Sequence, residues 1–196
     1  LSAVSDKPAY RDGLPASITV DYVPFFDSKN PEKSRKKTIE ALEILLKRYP
    51  GKYAGMCFEL IQGEGGFNVG EKTFFVEIMT LLKANNIAIV VDEIQTFGRT
   101  SELFAFQYLG IEKYVDVVTI GKLSQICATI YRKEYKPRPG LVSQTFIGST
   151  SAIESSLVIL ETLINGKYFG KKGKINSFHN RFVSQLKKIQ KKHPKL

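Results

Sequence analysis

Short, almost continuously apolar segments recur along the chain and predict strands. They span residues 54–60, 87–91 and 115–120, and a fourth covers 126–131. Segments this short, with little polar alternation, are typical of strands covered on both faces, as in a parallel sheet. A shorter apolar segment at 18–22 predicts a further strand near the start of the chain.

Apolar residues at helical spacing separate these strands. Asn30 and Pro31 are typical of an N-cap and a first helical position, and Pro50-Gly51 ends the helix that they begin. Further helices are predicted at about 71–85, after the loop at 137–140, and beyond residue 174. The expected inward stripes are Ile39, Leu42, Leu45, Leu46 and Tyr49; Phe74, Phe75, Ile78, Leu81 and Leu82; Ile153, Leu157, Leu160 and Ile164; and Ile175, Phe178, Phe182, Leu186 and Ile189.

This alternation of strands and helices predicts an α/β fold with a mostly parallel sheet flanked by helices. The 196 residues, 43% of them hydrophobic and 24% charged, have a globular composition that excludes a disordered chain. No segment approaches the ~20 consecutive apolar residues of a membrane span. The chain starts with Leu, and no charged and apolar leader follows, so we expect no secretory signal.

The net charge of +10 is concentrated near the end of the chain. Glu161 is the last acidic residue, and ten Lys and Arg residues follow from Lys167 onward; the remaining 29 − 10 = 19 basic residues balance the 19 acidic ones. A cationic tail raises the hypothesis of a nucleic acid or an anionic surface as partner. Because the charges flank an apolar helical stripe, a solvated helix face is favoured, and we predict no nucleic-acid or membrane partner.

Two cysteines, Cys57 and Cys127, lie in apolar segments far apart in the sequence. Their spacing matches neither a metal site nor a disulfide framework. We therefore predict reduced, buried thiols, a cytoplasmic protein and no metal.

Polar side chains follow three of the predicted strands: Glu59, Asp92 and Lys122. Ligands of α/β sheets bind at the carboxyl ends of strands, and the 30 residues from Asp92 to Lys122 allow a crossover between parallel strands. Two interpretations are open. The pair is either a structural ion pair at the sheet edge, or a pyridoxal phosphate site in which the amine bonds to the cofactor and the acid holds its pyridine nitrogen protonated.

Four motifs occur in order: Phe58-Glu-Leu-Ile-Gln-Gly-Glu-Gly-Gly66, Val90-Val-Asp-Glu-Ile-Gln-Thr-Phe-Gly-Arg-Thr100, Thr119-Ile-Gly-Lys122 and Gln144-Thr-Phe-Ile-Gly148. Together they resemble the class III aminotransferases, fold-type I pyridoxal phosphate enzymes that include ornithine, acetylornithine and 4-aminobutyrate aminotransferases. The Gly-rich loop alone is weak evidence. The second motif, with Gly-Lys 30 residues after its Asp, is specific.

The resemblance implies roles for individual residues. Lys122 matches the lysine that forms the Schiff base with pyridoxal 5'-phosphate and shuttles the proton, and Asp92 matches the partner of the pyridine nitrogen. Ile94 matches the aliphatic residue on the ring face, and Gln95 the side chain near the phenolic oxygen. Thr145 matches a threonine that reaches the phosphate in the neighbouring subunit, which implies a homodimer with a shared active site.

Glu59 matches a glutamate that pairs with a substrate-gating arginine, although Leu60 replaces the proline that usually follows. Arg99 is interpreted as structural, and no catalytic role is assigned to His179 or His193. The resemblance also implies a large cofactor-binding domain at 1–165 and a basic helix at 166–196 that leads into a small domain.

A complete family member is roughly twice as long, with an upstream phosphate-binding loop and a downstream small domain that this sequence does not show. We therefore expect either a fragment of a larger enzyme or a short gene product, and little cofactor binding by the chain alone. The predicted function is transamination between an amino donor and a 2-oxo acid. The alternatives are an aminomutase, racemase or decarboxylase with the same cofactor, or a non-catalytic or split-enzyme subunit.

Overall fold

The computed structural model describes residues 4–13, 18–142 and 148–194. By its internal contacts the chain divides into two compact units, Leu1–Val91 and Asp92–Leu196. No helix among the described residues is both long and apolar enough to cross a bilayer.

In its described residues, 4–13 and 18–91, the first unit has two helices and four strands. After a 3-10 turn at Pro8–Tyr10, the elements are α1 (Pro31–Arg48), β1 (Gly55–Glu59), β2 (Ile61–Gln62), β3 (Asn68–Val69), α2 (Lys72–Ala84) and β4 (Ala88–Asp92), whose last residue opens the second unit. β2 and β3 form a small antiparallel ribbon. The predicted strand at 18–22 is wrong, because these residues are irregular in the structure.

Helix α1 begins at Pro31, as predicted. The Asn30 side chain does not cap the helix, since its amide donates to Asp27 Oδ2 at 3.0 Å. Of the predicted stripe only Leu42 is buried, and Tyr49 at the end of the helix is 42% exposed.

Helix α2 supplies most of the apolar core of the first unit. Its buried residues are Phe74, Phe75, Ile78, Met79 and Leu82. The Phe75 ring stacks on Phe58 of β1, with ring centroids 5.7 Å apart. A β-carbon at Gly70 would lie 2.2 Å from the Phe75 ring, so this glycine lets the loop before α2 close over the aromatic core. Burial of such rings is the main stabilising contribution of this core.

The second unit continues with α3 (Ala105–Leu109), β5 (Val117–Ile120), β6 (Ala128–Tyr131), α4 (Thr150–Asn165) and α5 (Lys174–Lys192). The Ser149 hydroxyl caps α4 by accepting from the Ala152 N–H at 3.2 Å. In α5 no residue is buried, and Phe178 and Phe182 of its predicted inward stripe are each 64% exposed.

The main sheet has the strand order β1-β4-β5-β6. The Ala88 N–H donates to the Ala54 C=O, which joins the starts of β1 and β4, and the Glu93 N–H donates to the Thr119 C=O, which joins the ends of β4 and β5. Both pairs are therefore parallel, and the mixed α/β fold with a mostly parallel sheet is confirmed. β6 is antiparallel to β5, from Val117↔Tyr131 to Ile120↔Ala128.

The prediction that both cysteines are buried is wrong. Cys57 and Cys127 are not joined in a disulfide, and both are exposed. Cys57 lies on β1 and Cys127 directly precedes β6, and these are the two outer strands of the sheet. An apolar segment on an outer strand is covered by fewer neighbours than one on a central strand, so the apolar pattern alone overestimated its burial.

Candidate active site

The turn after β4 is joined to β5, close to its end, by a backbone hydrogen bond. The Glu93 N–H donates to the Thr119 C=O at 2.9 Å. Glu93 directly follows Asp92, and Thr119 precedes Lys122 by three residues. The bond therefore links the two chain segments that carry the predicted catalytic groups, at the sheet edge where α/β proteins bind ligands.

Asp92 is the last residue of β4 and is half-buried. Its Oδ1 accepts a 2.9 Å hydrogen bond from the Ile94 N–H, which holds the carboxylate against its own turn. Its other oxygen, Oδ2, accepts no hydrogen bond from the residues that the structure describes (4–13, 18–142 and 148–194). A carboxylate with one open oxygen can accept from a protonated nitrogen.

Lys122 is exposed and has a backbone φ of 53°, in the left-handed region that favours glycine. Its C=O accepts from the Gln125 N–H at 3.0 Å and from the Gln125 side-chain amide at 3.1 Å. In the part of the chain that the structure describes, no carboxylate pairs with the Lys122 ammonium, so the structural ion pair with Asp92 does not form.

Ile94 packs directly against the residue before this lysine. A β-carbon at Gly121 would lie 2.8 Å from Ile94 Cδ1 and 3.3 Å from Cys127 Sγ. The φ of Gly121 is −177°, ordinary extended backbone, so the glycine provides space rather than an unusual conformation. The side chain predicted to cover the cofactor ring thus contacts the backbone that carries the predicted reactive amine.

Gln95 is held by Arg99. The Arg99 Nη1 donates to the Gln95 backbone C=O at 2.8 Å and to its side-chain Oε1 at 3.3 Å. This is the loop-closing, structural role expected for Arg99. Because the Gln95 oxygen accepts from the arginine, its amide nitrogen remains the group that could donate to a ligand oxygen.

Glu93 is a site residue that the sequence analysis missed. Its side chain is 0% exposed, and its carboxylate accepts from the Thr96 hydroxyl and, at 3.0 Å each, from the Ala105 and Phe106 N–H groups of α3. Burial raises the pKa of the Glu93 carboxyl, these hydrogen bonds oppose the shift, and the charge of Asp92 adds to it.

The signal for Glu93 is its phase along β4, which the apolar sequence of this strand does not fix by itself. Ile89 and Val91 are buried on β4, and Glu93 continues the same period of two, whereas Asp92 has the opposite phase. A carboxylate in phase with two core positions is expected to be enclosed. The apolar segment 87–91 was interpreted as covered on both faces, so the two acids were not distinguished.

Four other residues were considered from the sequence: Glu59, Thr145, His179 and His193. Glu59 ends β1 in the first unit, where its Oε2 accepts from the Gly63 N–H at 2.8 Å and closes the Gly-rich loop. Thr145 lies outside the described residues. His179 and His193 are exposed. Among the described side chains no group of three or more His, Cys, Asp or Glu residues could hold a metal ion.

Solved structures that superpose on this chain include aminotransferases. Lysine aminotransferase from M. tuberculosis superposes with a TM-score of 0.78 at 19% identity, over 98% of this chain and 46% of that one. Ornithine aminotransferase from Toxoplasma gondii, described with partial occupancy of PLP at its active site, superposes with a TM-score of 0.69 at 26% identity, over 85% and 38%.

At the sequence level, the family Aminotransferase class-III matches residues 1–196, so the chain belongs to the class-III aminotransferases. Acetylornithine aminotransferase of Methanocaldococcus jannaschii is 31% identical over 188 residues, which are 87% of this chain and 43% of that protein. The enzyme of the same name from Oceanobacillus iheyensis is 32% identical, over 99% and 46%. The chain thus spans about half the length of these relatives, and the resemblance seen in the sequence is confirmed.

Proposed function

We propose that Asp92, Ile94, Gln95 and Lys122 form part of a pyridoxal 5'-phosphate site that serves transamination between an amino donor and a 2-oxo acid. The observation that carries the proposal is the contact between the two strand ends. The Glu93–Thr119 hydrogen bond and the packing of Ile94 on Gly121 draw the carboxylate turn and the lysine loop together.

The residues present fit this cofactor chemically. An exposed primary amine, a carboxylate with one open oxygen and an amide nitrogen able to donate are the groups that an aldehyde, a pyridine nitrogen and a phenolic oxygen require. Because Gly121 has no side chain, the backbone beside the amine leaves room for the Ile94 side chain.

When bound, the cofactor supplies an aldehyde that bonds to amines and an aromatic ring that withdraws electrons from the substrate. Lys122 Nζ would bond to the aldehyde carbon of the cofactor. Once the amine is released from that carbon, it would take a proton from the substrate α-carbon. The Asp92 carboxylate would keep a proton on the pyridine nitrogen, and Gln95 would orient the ring through its phenolic oxygen. Ile94 would exclude water from one ring face.

The roles proposed for Glu59 and Thr145 rest on the resemblance to the family. By that resemblance Glu59 is the substrate-gating carboxylate, and Thr145 contributes to the cofactor site of a second copy, which makes the protein a homodimer. Two cysteines that are not joined in a disulfide support a cytoplasmic location. A second candidate function, a subunit that shares its site with another polypeptide, is favoured by the match to only 43–46% of the relatives' length.

Borohydride trapping tests the cofactor site even if the cofactor is held weakly. The purified chain is mixed with pyridoxal phosphate, reduced, digested, and the label located by mass spectrometry. The chain has 22 lysines, and we expect Lys122 to carry more label than any of the others. Lys122→Arg should remove this excess, and Lys136→Arg, at an exposed control lysine, should not. Equal labelling of all lysines contradicts the proposal.

The reaction type is tested separately. Acetylornithine, ornithine and 4-aminobutyrate, which name the relatives' activities, are each added without a 2-oxo acid. Conversion of the cofactor to pyridoxamine phosphate, detected by its mass, supports transamination. Turnover of the amino donor with the cofactor unchanged would favour an aminomutase, a racemase or a decarboxylase.

A further inference from the structure

Glu93 connects three segments of the second unit at once. Its backbone N–H donates to Thr119 of β5, its backbone C=O accepts from the Thr96 and Phe97 N–H groups, and its carboxylate accepts from the first two N–H groups of α3. The side chain has no exposure to solvent. Three donors converge on the two carboxylate oxygens from different directions. Few side chains have enough acceptor positions to satisfy all three.

The turn that Glu93 anchors is the same turn that holds Asp92. The Ile94 N–H directly follows both acids in the sequence, and it donates to Asp92 Oδ1 at 2.9 Å. Glu93 fixes this turn from the buried side, and Asp92 projects from the half-buried side. A change in the anchor is therefore transmitted to the Asp92 carboxylate through the neighbouring Ile94 N–H.

We propose that Glu93 is a positioning residue that sets the place of the Asp92 carboxylate by tying its turn to the start of α3. As a role in catalysis this rests on the proposed function. As a statement about the Asp92 turn it stands on the hydrogen bonds alone. A carboxyl group offers two oxygens that can accept here, whether it is ionised or protonated, whereas an amide at position 93 offers one oxygen and would present an N–H to the Ala105 or the Phe106 N–H.

Amide hydrogen exchange measured by NMR on the full chain tests the inference without cofactor. In Glu93→Gln we expect the Ile94 amide to exchange at least about tenfold faster, together with the Ala105 and Phe106 amides. Gln107→Ala is the matched control, since it removes the acceptor of the Phe104 N–H at the start of α3 and leaves the turn intact. It should speed exchange in α3 only. Glu112→Gln, the same charge change at an exposed residue, should alter neither set.

Acceleration of Ala105 and Phe106 with Ile94 unchanged would make Glu93 a helix anchor only and overturn the proposal, as would no change at all. If Glu93→Gln fails to fold, Thr96→Val provides the test, because it removes one donor to the carboxylate and retains the side-chain shape. A smaller acceleration at Ile94 is then expected, and none would be contradictory. Absence of pyridoxal phosphate binding by the wild type would count against the proposed function and leave the exchange result standing.

Discussion

Ile94 and Gly121 are in direct contact, so that a β-carbon on Gly121 would lie 2.8 Å from Ile94 Cδ1. The contact joins the turn after β4 to the residue before Lys122. The contact limits how closely the turn that carries Asp92 and the loop that carries Lys122 approach each other. A single methyl group added at Gly121 would therefore change their separation.

Gly121→Ala should therefore displace the lysine loop. The extended φ of −177° accepts alanine, so the effect is purely steric, and we expect a loss of about 1–3 kcal/mol in the free energy of unfolding. Urea denaturation measures it. Ile94→Val removes the obstructing Cδ1 and should restore part of the loss. Gly148→Ala is the control, since its β-carbon would meet Ile153 Cδ1 at an ordinary 3.7 Å. Equal losses at the two glycines would contradict the packing argument.

Glycine at position 122 should give a more stable fold than alanine. At φ 53° a side chain costs about 1–2 kcal/mol relative to glycine, so Lys122→Gly is expected to unfold at higher urea than Lys122→Ala. The difference should vanish or reverse in the matched pair Lys133→Gly and Lys133→Ala, because Lys133 is not among the residues of positive φ. An alanine variant as stable as the glycine variant would show that the loop is unstrained.

Glu93 should make stability depend on pH in a defined direction. Burial raises the pKa of this carboxyl above its ordinary 4.5, so the folded state holds the proton to higher pH than the unfolded state does. The stability that this proton contributes is complete below pH 4.5 and is lost as the pH rises through the folded-state pKa. The free energy of unfolding of the wild type relative to Glu93→Gln should fall over that interval. A difference that rises with pH would mean that the hydrogen bonds outweigh burial.

Tyr53 provides a test in the first unit. Burial and the 2.7 Å hydrogen bond to Asp21 raise the pKa of Tyr53 to about 12. A spectrophotometric titration of the phenol, taken as the difference between the wild type and Tyr53→Phe, should give this value. Asp21→Asn keeps an acceptor and removes the charge, so it should lower the pKa toward 10.0. An unchanged pKa would exclude Asp21 as a cause.

The central strands and their ends could be predicted from the sequence because short apolar segments followed by a polar residue are specific to buried strands. Asp92 and Lys122 were assigned to strand ends in this way, and the structure ends β4 at Asp92 and places Lys122 two residues after β5. Burial at the outer strands was not predictable from the same pattern. Whether an apolar residue such as Cys57 is covered depends on which strand lies at the edge, and that order is a tertiary property.

The buried anchor Glu93 was missed for a related reason. A segment without polar alternation does not show which phase of the strand faces the core, so two consecutive acids look alike. The direction of β6 was also left open, although the connection after β5 covers only residues 121–127, and a return to a parallel strand needs about a dozen residues or more. The length of that connection is sufficient to require the antiparallel pairing that the structure has.

The short β5–β6 connection has a consequence for the evolution of the loop that carries Lys122. Lys122 occupies a tight hairpin whose two arms are locked in register at Ile120 and Ala128. An insertion or deletion inside it would shift one arm by a residue and turn every side chain of β6 to the opposite face of the sheet. Length variation is therefore expected to accumulate in other loops, while this one keeps its seven residues.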